Sequence, residues 1–413
     1  METTIERKDW LSYRWVVLVV CWMGYCVTYM SRLGLGPLGP FMRADLAINK
    51  AQFGVFSSAV GAGLVVALIP AGWLIDRLGI RVVLTFGQLI GGIALIGMFF
   101  TRTYVEALSV MFLAGMCMGC VMPCPSSAVV HWFPAKERGM AIGINQTANN
   151  FGGMVTAASF PIIATAHGWR TGFMLLGFVA IIFGIVSSVF YRNPPKGGTG
   201  VMSGPAPAVL KKESSFIVLK SRDIWFATIA AVCLTVNEFS VFNYYVMYLK
   251  EHLLVAVVPA GFLLGTIDAG GLCAKPIAGI ISDRLFGGKR KGTFFLLALI
   301  ATVLTIIIAV LPVGTPQWVL LICSAVFGFA GVGWAGICFT MIGEFAGREH
   351  VGVVTGITIA AMIIVSIFGV PMFGHIADKT HGWTWSWVYA AGLGAIATII
   401  IPFIREERKR LQV

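Results

Sequence analysis

Residues 72–81 read Gly72-Trp73-Leu74-Ile75-Asp76-Arg77-Leu78-Gly79-Ile80-Arg81 and stand between two long apolar stretches. A related segment, Gly279-Ile280-Ile281-Ser282-Asp283-Arg284-Leu285-Phe286, stands at the corresponding place in the second half of the chain. A second pair is Gly168-Trp169-Arg170 and Gly382-Trp383-Thr384, and the members of the two pairs are separated by 207 and 214 residues. The sequence therefore predicts that one arrangement of apolar segments occurs twice in the same orientation.

The composition indicates a membrane protein. Of 413 residues, 58% are hydrophobic and only 12% are charged, and the mean hydropathy is +0.87, whereas a soluble domain has about 25% charged residues. A helix that crosses a bilayer needs about 20 apolar residues, and twelve stretches satisfy this length. They cover roughly residues 14–38, 51–74, 80–100, 105–131, 139–165, 169–191, 223–249, 256–281, 292–312, 317–343, 352–376 and 384–404.

The predicted fold class is an all-α membrane protein. Its twelve transmembrane helices are expected to form two six-helix bundles related by a parallel repeat, residues 1–192 and residues 222–413. The intervening residues 193–221 are rich in glycine and proline, and we interpret them as a cytoplasmic linker. The first apolar stretch lacks a small-residue cleavage site and is followed by eleven more, so we expect it to be retained as a span.

Lysine and arginine residues are concentrated on one side of the predicted spans. That side contains both termini and the linker, and the positive-inside rule makes it cytoplasmic. The opposite side has only Arg43, Lys50, Arg102, Arg170, Lys250 and Lys379. This orientation accounts for most of the net charge of +12, so we expect a lipid bilayer and no nucleic acid as partner. Short loops and the lack of organelle-targeting features favour a bacterial inner membrane.

The nine cysteines lie mostly within the spans, where cysteine behaves as a small hydrophobic residue. Their odd number argues against a disulfide framework. Cys117, Cys120 and Cys124 share one helical face, but no histidine lies in that span before His131 at its end. We therefore expect these thiols to pack between helices, and the sequence predicts no metal site and no other cofactor.

Four ionisable residues, Arg32, Glu238, Asp268 and Lys275, fall inside the apolar stretches. A charge in hydrocarbon is costly unless it is paired or faces water, so these residues predict a polar route through the membrane. Arg32 is the strongest candidate to bind a substrate carboxylate, since a guanidinium forms bidentate hydrogen bonds with it. The alternative is that Arg32 lies near the outer interface and extends its side chain to that interface.

Asp268 and Lys275 are seven residues apart, so they share a face of one predicted helix with a rise of about 10 Å between them. We interpret Lys275 as a second substrate contact, and Asp268 and Glu238 as the residues that bind a coupling proton. In this interpretation, an anion bound at Lys275 would release Asp268 to accept a proton. The alternative is a structural ion pair that fixes this helix to a neighbour.

Polar and aromatic side chains in three spans are further candidate substrate contacts. Amides that lipid would not tolerate crowd the predicted fifth span, at Asn145, Gln146, Asn149 and Asn150. The first and seventh spans contribute Tyr29, Asn243, Tyr244 and Tyr245. Both groups have an alternative interpretation, because amides can join helices and aromatic residues at helical spacing often pack in the interior.

The segment at residues 72–81 fits the loop signature Gly-x-x-x-Asp-Arg-x-Gly-x-Arg, and the chain resembles the major facilitator superfamily over nearly its whole length. The resemblance implies the fold predicted above and transport by alternating access, with substrate bound at the midplane between the halves. It also implies that charges at the cytoplasmic edge form inter-helix locks, at Asp76, Arg77, Arg81, Asp283 and Arg284. The alternative is that these are solvated positive-inside charges.

Within that superfamily the chain resembles the anion:cation symporter branch, which transports sugar acids and other carboxylates. The resemblance is carried by Tyr29 to Arg32, Trp132 to Arg138, Gly168 to Arg170 and Tyr244 to Leu249. A second likeness, through Lys275-Pro276, is to monocarboxylate and oxalate carriers. Members of the branch often have acids at the positions of Ser31 and Met118 here. Those acids are usually assigned the binding of the coupling proton, and Ser31 and Met118 cannot take that role. If protons drive this transporter, Glu238 or Asp268 must bind them.

The leading expectation is a proton-coupled symporter of a small organic anion, a monomer by family resemblance. The second hypothesis is an anion exchanger or uniporter without proton coupling, which the absence of acids at Ser31 and Met118 favours. The third is a cationic-drug exporter, in which Glu238 and Asp268 would bind a cation. No nucleophile-and-base arrangement occurs among the polar residues, so we do not expect an enzyme.

Overall fold

The computed structural model describes residues 2–134, 136–193 and 221–406, which form helices with short connections and contain no strand. In chain order the helices are α1 (Glu2–Leu33), α2 (Leu35–Leu46), α3 (Lys50–Leu78), α4 (Ile80–Gly97), α5 (Tyr104–Val121), α6 (Cys124–Trp132), α7 (Arg138–His167), α8 (Trp169–Phe190), α9 (Arg222–Glu251), α10 (Val257–Leu285), α11 (Arg290–Val310), α12 (Gln317–Gly347), α13 (His350–Lys379) and α14 (Thr384–Ile400). Short 3-10 helices, Met98–Phe100 and Ile401–Phe403, extend α4 and α14.

Glycines in a left-handed conformation separate several consecutive helices. Gly79, within the segment quoted first, has a φ of 83° and lies between α3 and α4, and Gly168 has a φ of 84° between α7 and α8. Gly347, with φ 69° and ψ 169°, interrupts the helical run from Gln317 to Lys379 and so separates α12 from α13. Only glycine adopts these angles without steric cost, so the two sequence motifs that contain Gly79 and Gly168 mark helix boundaries.

Eleven helical segments in the described part of the chain are long and apolar enough to cross a membrane. The sequence predicts twelve. The difference is α7, which covers the predicted fifth span, residues 139–165, as a 30-residue helix but is not among the eleven. Its amides, from Asn145 to Asn150, lower its hydropathy. The first of the eleven, Tyr13–Leu46, combines α1 and α2.

Contacts divide the chain into two compact units, Met1–Pro207 and Ala208–Val413, here called unit 1 and unit 2. Within unit 1, α3 packs on α5, α4 on α8 and α1 on α7. Within unit 2, α10 packs on α12 and α11 on α14. The predicted linker, residues 193–221, lies outside the described residues except for Asn193 and Ser221, so it stays a prediction.

Each unit contains a pair of helices that touch through glycine. In unit 1, a Cβ atom added to Gly63 on α3 would overlap the Phe112 carbonyl oxygen, and one added to Gly115 on α5 would overlap the Val60 carbonyl oxygen. In unit 2, Gly270 on α10 and Gly328 on α12 make the corresponding contacts. These glycines lie 207 and 213 residues after their counterparts, close to the offsets of the sequence motifs. Small residues allow such close approach of membrane helices.

Candidate functional site

Three of the four predicted intramembrane charges come together in unit 2. Lys275 on α10 is partly buried and interacts electrostatically with Glu238 on α9 and with Asp268 on its own helix. Asp268 is only 2% exposed. Because α9 packs on α10, residues 37 positions apart in the sequence form one charged group. We call Glu238, Asp268 and Lys275 the charge triad.

The fourth charge, Arg32, lies in the last turn of α1 in unit 1 and is partly buried. Its neighbour Ser31 is 5% exposed, and the Ser31 hydroxyl donates a hydrogen bond of 2.7 Å to the carbonyl oxygen of Thr28. The helix ends one residue after Arg32, and Gly34 separates it from α2. Arg32 therefore stands at a helix end inside the apolar segment Tyr13–Leu46.

Aromatic residues of α1 meet amides of α7 in unit 1. The Tyr25 hydroxyl donates to the Tyr29 hydroxyl at 3.3 Å and also hydrogen-bonds with Gln146. The Trp22 indole nitrogen donates to the Thr147 hydroxyl at 2.9 Å. Two predicted contacts, Tyr29 and Gln146, are thus joined through Tyr25, a residue that the sequence does not single out. The α1 and α7 faces form a polar surface inside a membrane unit.

Asn145 on α7 has a different environment from its neighbouring amides. Its side chain is 4% exposed, and neither the amide oxygen nor the amide nitrogen has a hydrogen-bond partner among the described residues. By contrast, Gln146 is exposed and Asn149 is partly buried, and Asn150 is buried with a partner. A buried amide without a partner carries a free-energy cost. Asn145 is therefore equipped to bind a polar ligand.

Tyr244 and Tyr245 are core residues of unit 2. The Tyr244 ring stacks on Phe373 of α13 with 5.0 Å between centroids, and it is fully buried. The Tyr245 hydroxyl shares a hydrogen bond of 2.8 Å with the Ser324 hydroxyl of α12. The third predicted contact on α9, Asn243, is 7% exposed and donates to the Phe239 carbonyl oxygen at 2.7 Å. These contacts correspond to the packing alternative for this part of α9.

In unit 1, the predicted gating residues lie at the ends of α3 and α4. Asp76 and Arg77 are exposed, and the Arg77 guanidinium lies 4.4 Å from the centre of the Trp73 ring. The Arg81 side chain donates from Nε to the Ser188 carbonyl oxygen at 2.7 Å, which joins α4 to the end of α8. Arg81 thus makes a contact between helices, with a backbone carbonyl oxygen of α8 as its partner.

In unit 2, the ion pair of Asp283 is with Arg290 rather than with Arg284. The Arg290 guanidinium donates to Asp283 Oδ1 at 2.7 Å and to Glu344 Oε1 at 3.3 Å, and so links α10, α11 and α12. Its backbone nitrogen also donates to Glu406 at 2.6 Å. From the sequence Arg290 reads only as a positive-inside charge, because Glu344 and Glu406 lie 54 and 116 residues away and Asp283, seven residues away, lies on a different helix. Arg284 itself is exposed.

Two motifs that carry the branch resemblance hold helices together in unit 1. The Trp169 indole nitrogen and the Arg170 guanidinium both donate to Asp45 Oδ2, at 3.2 Å and 2.6 Å, which ties the start of α8 to the end of α2. Glu137, which precedes α7, forms an ion pair of 3.0 Å with Arg14 of α1. Asp45 is a partner that sequence reasoning missed. No signal in the sequence connects it with residues 124 positions away.

The cysteines are free thiols and are mostly buried, although Cys273 is exposed. The Cys124 thiol donates to the Cys120 carbonyl oxygen at 3.4 Å on the same face of the α5–α6 segment. Across residues 2–134, 136–193 and 221–406, no group of three histidine, cysteine or acidic side chains is arranged to hold a metal ion.

Comparison with known proteins identifies the family. The sequence model of the Major Facilitator Superfamily matches residues 21–339 and 229–412 of this chain. Over 415 residues the chain is 23% identical to a probable sulfoacetate transporter of Cupriavidus necator, an alignment that covers 95% of both chains. It is 24% identical to a probable galactarate/D-glucarate transporter of Bacillus subtilis, over 94% of this chain and 91% of the relative.

The fold is similar to the crystal structure of a D-xylose-proton symporter, with a TM-score of 0.78 at 16% identity over 94% of this chain and 97% of that chain. The family match extends over nearly the whole chain, in agreement with the all-helical architecture and the many apolar helices. The chain therefore belongs to the Major Facilitator Superfamily, as an integral membrane transporter and not an enzyme.

Proposed function

We propose that this protein is a secondary active transporter that moves a small organic anion together with a proton by alternating access. The two curated relatives described above are named for organic anions, sulfoacetate in one case and galactarate or D-glucarate in the other. The substrate class we propose is therefore a small carboxylate or sulfonate. The anionic head group, rather than one named metabolite, defines this class.

The observation that carries the proposal is the charge triad. Two carboxylates and one ammonium group sum to one negative charge, and a low-dielectric interior penalises a charge that is not balanced. A proton on either Glu238 or Asp268 leaves the other carboxylate to balance Lys275, so that the group is neutral. When an anion binds at Lys275, the same site takes up a proton to stay balanced. Uptake of the anion and uptake of the proton are thereby coupled.

In unit 1 the proposal assigns anion recognition to Arg32 and to the polar surface of α1 and α7. Arg32 keeps its charge at every physiological pH and presents a planar fork that fits a carboxylate. Asn145 supplies an amide without a partner in the described residues, and Tyr29, Gln146 and Asn149 offer further hydrogen bonds to substrate hydroxyl groups. Substrate contact by Asn243, Tyr244 and Tyr245 would require the packing around them to change.

The proposal also completes the architecture. We assign α7 as a further membrane span, which gives twelve spans in two six-helix bundles. The linker and both termini then lie in the cytoplasm. We place the protein in a bacterial inner membrane, as a monomer. The exposed charges Asp76, Arg77, Arg81, Asp283 and Arg284 would then act on the cytoplasmic side as conformational locks. The contact of Asp283 with Arg290 supports this role for unit 2. Removal of such charges should change transport rate more than substrate affinity.

A comparison of two buried asparagines tests the substrate site. Asn145 has no partner for its amide among the described residues, whereas the Asn237 amide donates to Thr305 and to the Ala390 carbonyl oxygen. We expect Asn145→Ala to weaken anion uptake at least tenfold, since one hydrogen bond to an ion is worth about 1.5–3 kcal/mol, without lowering the unfolding temperature.

The matched variant Asn237→Ala should show the opposite pattern, a lower unfolding temperature with affinity kept. Both variants are measured in proteoliposomes with sulfoacetate and D-glucarate as probes, and in detergent for thermal unfolding. If Asn145→Ala has native affinity for every anion that the native chain transports, Asn145 does not belong to the substrate site.

An anion exchanger is a second candidate, and one observation favours it. In unit 1, Ser31 and Met118 line a common cavity, and neither side chain can carry a proton. An exchanger would take up labelled anion only when unlabelled anion is present inside the vesicle, and a pH gradient would have no effect. A cationic-drug exporter would instead be inhibited by cations and would ignore both anions.

A further inference from the structure

Gln88 is a buried amide in the core of unit 1 that the proposed transport site does not use. It lies on α4 and is 3% exposed, and neither its Oε1 nor its Nε2 atom has a hydrogen-bond partner among the described residues. The amide rests against α1, because a Cβ atom on Gly24 would overlap Gln88 Nε2. The side chain therefore extends from α4 toward α1, and its amide oxygen and nitrogen are both available for hydrogen bonds.

The Gln88 side chain lines a cavity of about 20 Å³. The other residues that matter in its wall are Thr28 and Ser31 of α1 and Cys117 and Met118 of α5. A cavity needs roughly 10–15 Å³ to hold one water molecule, and the water needs two to four polar partners. The volume is too small for an organic substrate, whose site would be several hundred Å³.

The wall offers the partners that a water molecule needs. The hydroxyl hydrogen of Thr28 is donated to the Gly24 carbonyl oxygen at 2.8 Å, and that of Ser31 to the Thr28 carbonyl oxygen at 2.7 Å. Both hydroxyl oxygens can still accept a hydrogen bond. Gln88 adds an acceptor and a donor. A water in this position would donate to the two hydroxyls of α1 and accept from the amide nitrogen of Gln88 on α4.

A sodium ion fits this wall less well than water. The described lining residues include no carboxylate, so no negative charge would offset the cost of taking a cation out of water. The hydrogens of the Gln88 amide NH₂ group carry partial positive charge and would repel a cation. Neutral, bifunctional partners of this kind match a molecule that both donates and accepts hydrogen bonds.

We propose that this cavity is the binding site of one structural water molecule that joins Gln88 of α4 to Thr28 and Ser31 of α1. The water donates to both hydroxyl oxygens and accepts from Gln88 Nε2, which would otherwise be buried without a hydrogen bond. Because Ser31 directly precedes Arg32, the same water fixes the end of α1 that carries Arg32. Gln88 is thus a positioning residue for the first helix, and its effect on Arg32 is indirect.

Hydroxyl-radical labelling by X-ray pulses tests the proposal, because radicals form from water in place and oxidise methionine sulfur nearby. Met118 lines the cavity, whereas Met111 lies on the same helix outside it, and both are 0% exposed. In native protein, we expect Met118 to be oxidised several-fold faster than Met111. Partly exposed Met116 on the same helix provides a second internal reference.

The variant Gln88→Leu keeps a similar volume and removes the polar partners, so an apolar cavity would stay dry. We expect the oxidation rate of Met118 to fall to that of Met111, while the rates of Met111 and Met116 are unchanged. Equal rates at Met118 and Met111 in the native chain would overturn the proposal. So would rapid Met118 labelling that persists in Gln88→Leu, since solvent would then reach Met118 by another route.

The comparison of Met118 with Met111 is made in the native protein and needs no variant. It therefore tests the proposal even if the Gln88→Leu protein fails to fold. Ser31→Ala supplies a milder change in the same wall, because it removes one acceptor and leaves the amide in place. It should reduce the oxidation rate of Met118 less than Gln88→Leu does. A rate at or above the native value in Ser31→Ala would remove Ser31 from the water's partners and refute the proposal that this water fixes the end of α1 that carries Arg32.

Discussion

Replacing Lys275 with glutamine removes the cation from the charge triad and leaves a side chain of similar length. The variant should be less stable than the native protein, because the acids Glu238 and Asp268 would lose the ammonium group that interacts with both. Asp268 is 2% exposed, so water cannot take over the role of the lysine.

The spacing along α10 sets the size of the effect. Asp268 and Lys275 are two turns apart, a rise of about 10 Å, and a lysine on a helix points toward the N terminus, which brings the charges to about 7 Å. One such pair at an effective dielectric constant of about 20 is worth roughly 2.4 kcal/mol. The interaction of Lys275 with Glu238 adds to this, and we take the two together as about 5 kcal/mol at most. Since Lys275 is partly exposed, we expect a loss of about 3 kcal/mol, at the lower end of values for broken buried pairs.

Thermal unfolding in detergent measures this loss, with Lys289→Gln as the control for an exposed lysine that precedes α11. Adding Glu238→Gln to Lys275→Gln should restore about half of the lost stability, because one of the two uncompensated carboxylates is removed. Glu238→Gln alone should change stability little, since Asp268 and Lys275 then balance. The reasoning is refuted if Lys275→Gln is no more harmful than Lys289→Gln, or if Glu238→Gln gives no restoration.

Three further predictions concern the packing that positions the site. Gly328→Ala should cost about 1–3 kcal/mol because its methyl would overlap the Ile267 carbonyl oxygen. Gly336→Ala on the same helix meets no atom within 4 Å, so equal unfolding temperatures for the two variants would contradict this. Asn237→Leu removes two inter-helix hydrogen bonds. It should lower the free energy of unfolding by about 0.6–1.7 kcal/mol in a denaturation series, and an unchanged value would exclude a stabilising role for these bonds. Asp45→Asn weakens the contact with Arg170 at 2.6 Å; since Asp45 is 45% exposed, we expect about 1 kcal/mol or less, lost in about 1 M salt, and a loss independent of salt would argue against the ion pair.

Much of the helical structure follows from the sequence, because membrane thickness fixes the length of an apolar segment. The prediction of residues 169–191 corresponds to Trp169–Phe190, and that of residues 384–404 corresponds to Thr384–Ile400 with its 3-10 extension. The first prediction, residues 14–38, runs past the true end of α1 at Leu33, since a new helix begins at Leu35. Glycine and proline near this point signal the break, but hydropathy alone passes over it.

The charged part of the site is predictable because charges are rare inside apolar segments. Periodicity predicts that Asp268 and Lys275 share a face. That Glu238 joins them depends on how α9 packs on α10, which a single sequence does not contain. Whether Tyr244 and Tyr245 contact substrate or pack in the interior is ambiguous in the same way. Their surroundings are set by Phe373 and Ser324, which lie far along the chain.

The residues that sequence reasoning missed are ordinary polar residues in ordinary places. Gln88 is one amide in an apolar span, and its lack of a partner becomes visible only when the neighbouring helices are in place. Asp45 and Arg290 read as loop or interface charges, yet Asp45 joins helices through Arg170 and Arg290 through Glu344, partners that are distant in sequence. Long-range pairing of this kind leaves no periodic signal.

Uptake into proteoliposomes is the most direct test of the central claim, that the charge triad couples an organic anion to a proton. Labelled sulfoacetate and D-glucarate are offered with and without an inward proton gradient, to the native protein, to Glu238→Gln with Asp268→Asn, and to the control Glu251→Gln at the exposed end of α9. The account predicts gradient-driven accumulation of at least one anion, which is kept in the control and lost in the double variant. Uptake that ignores the gradient, or accumulation that survives loss of both acids, would contradict it.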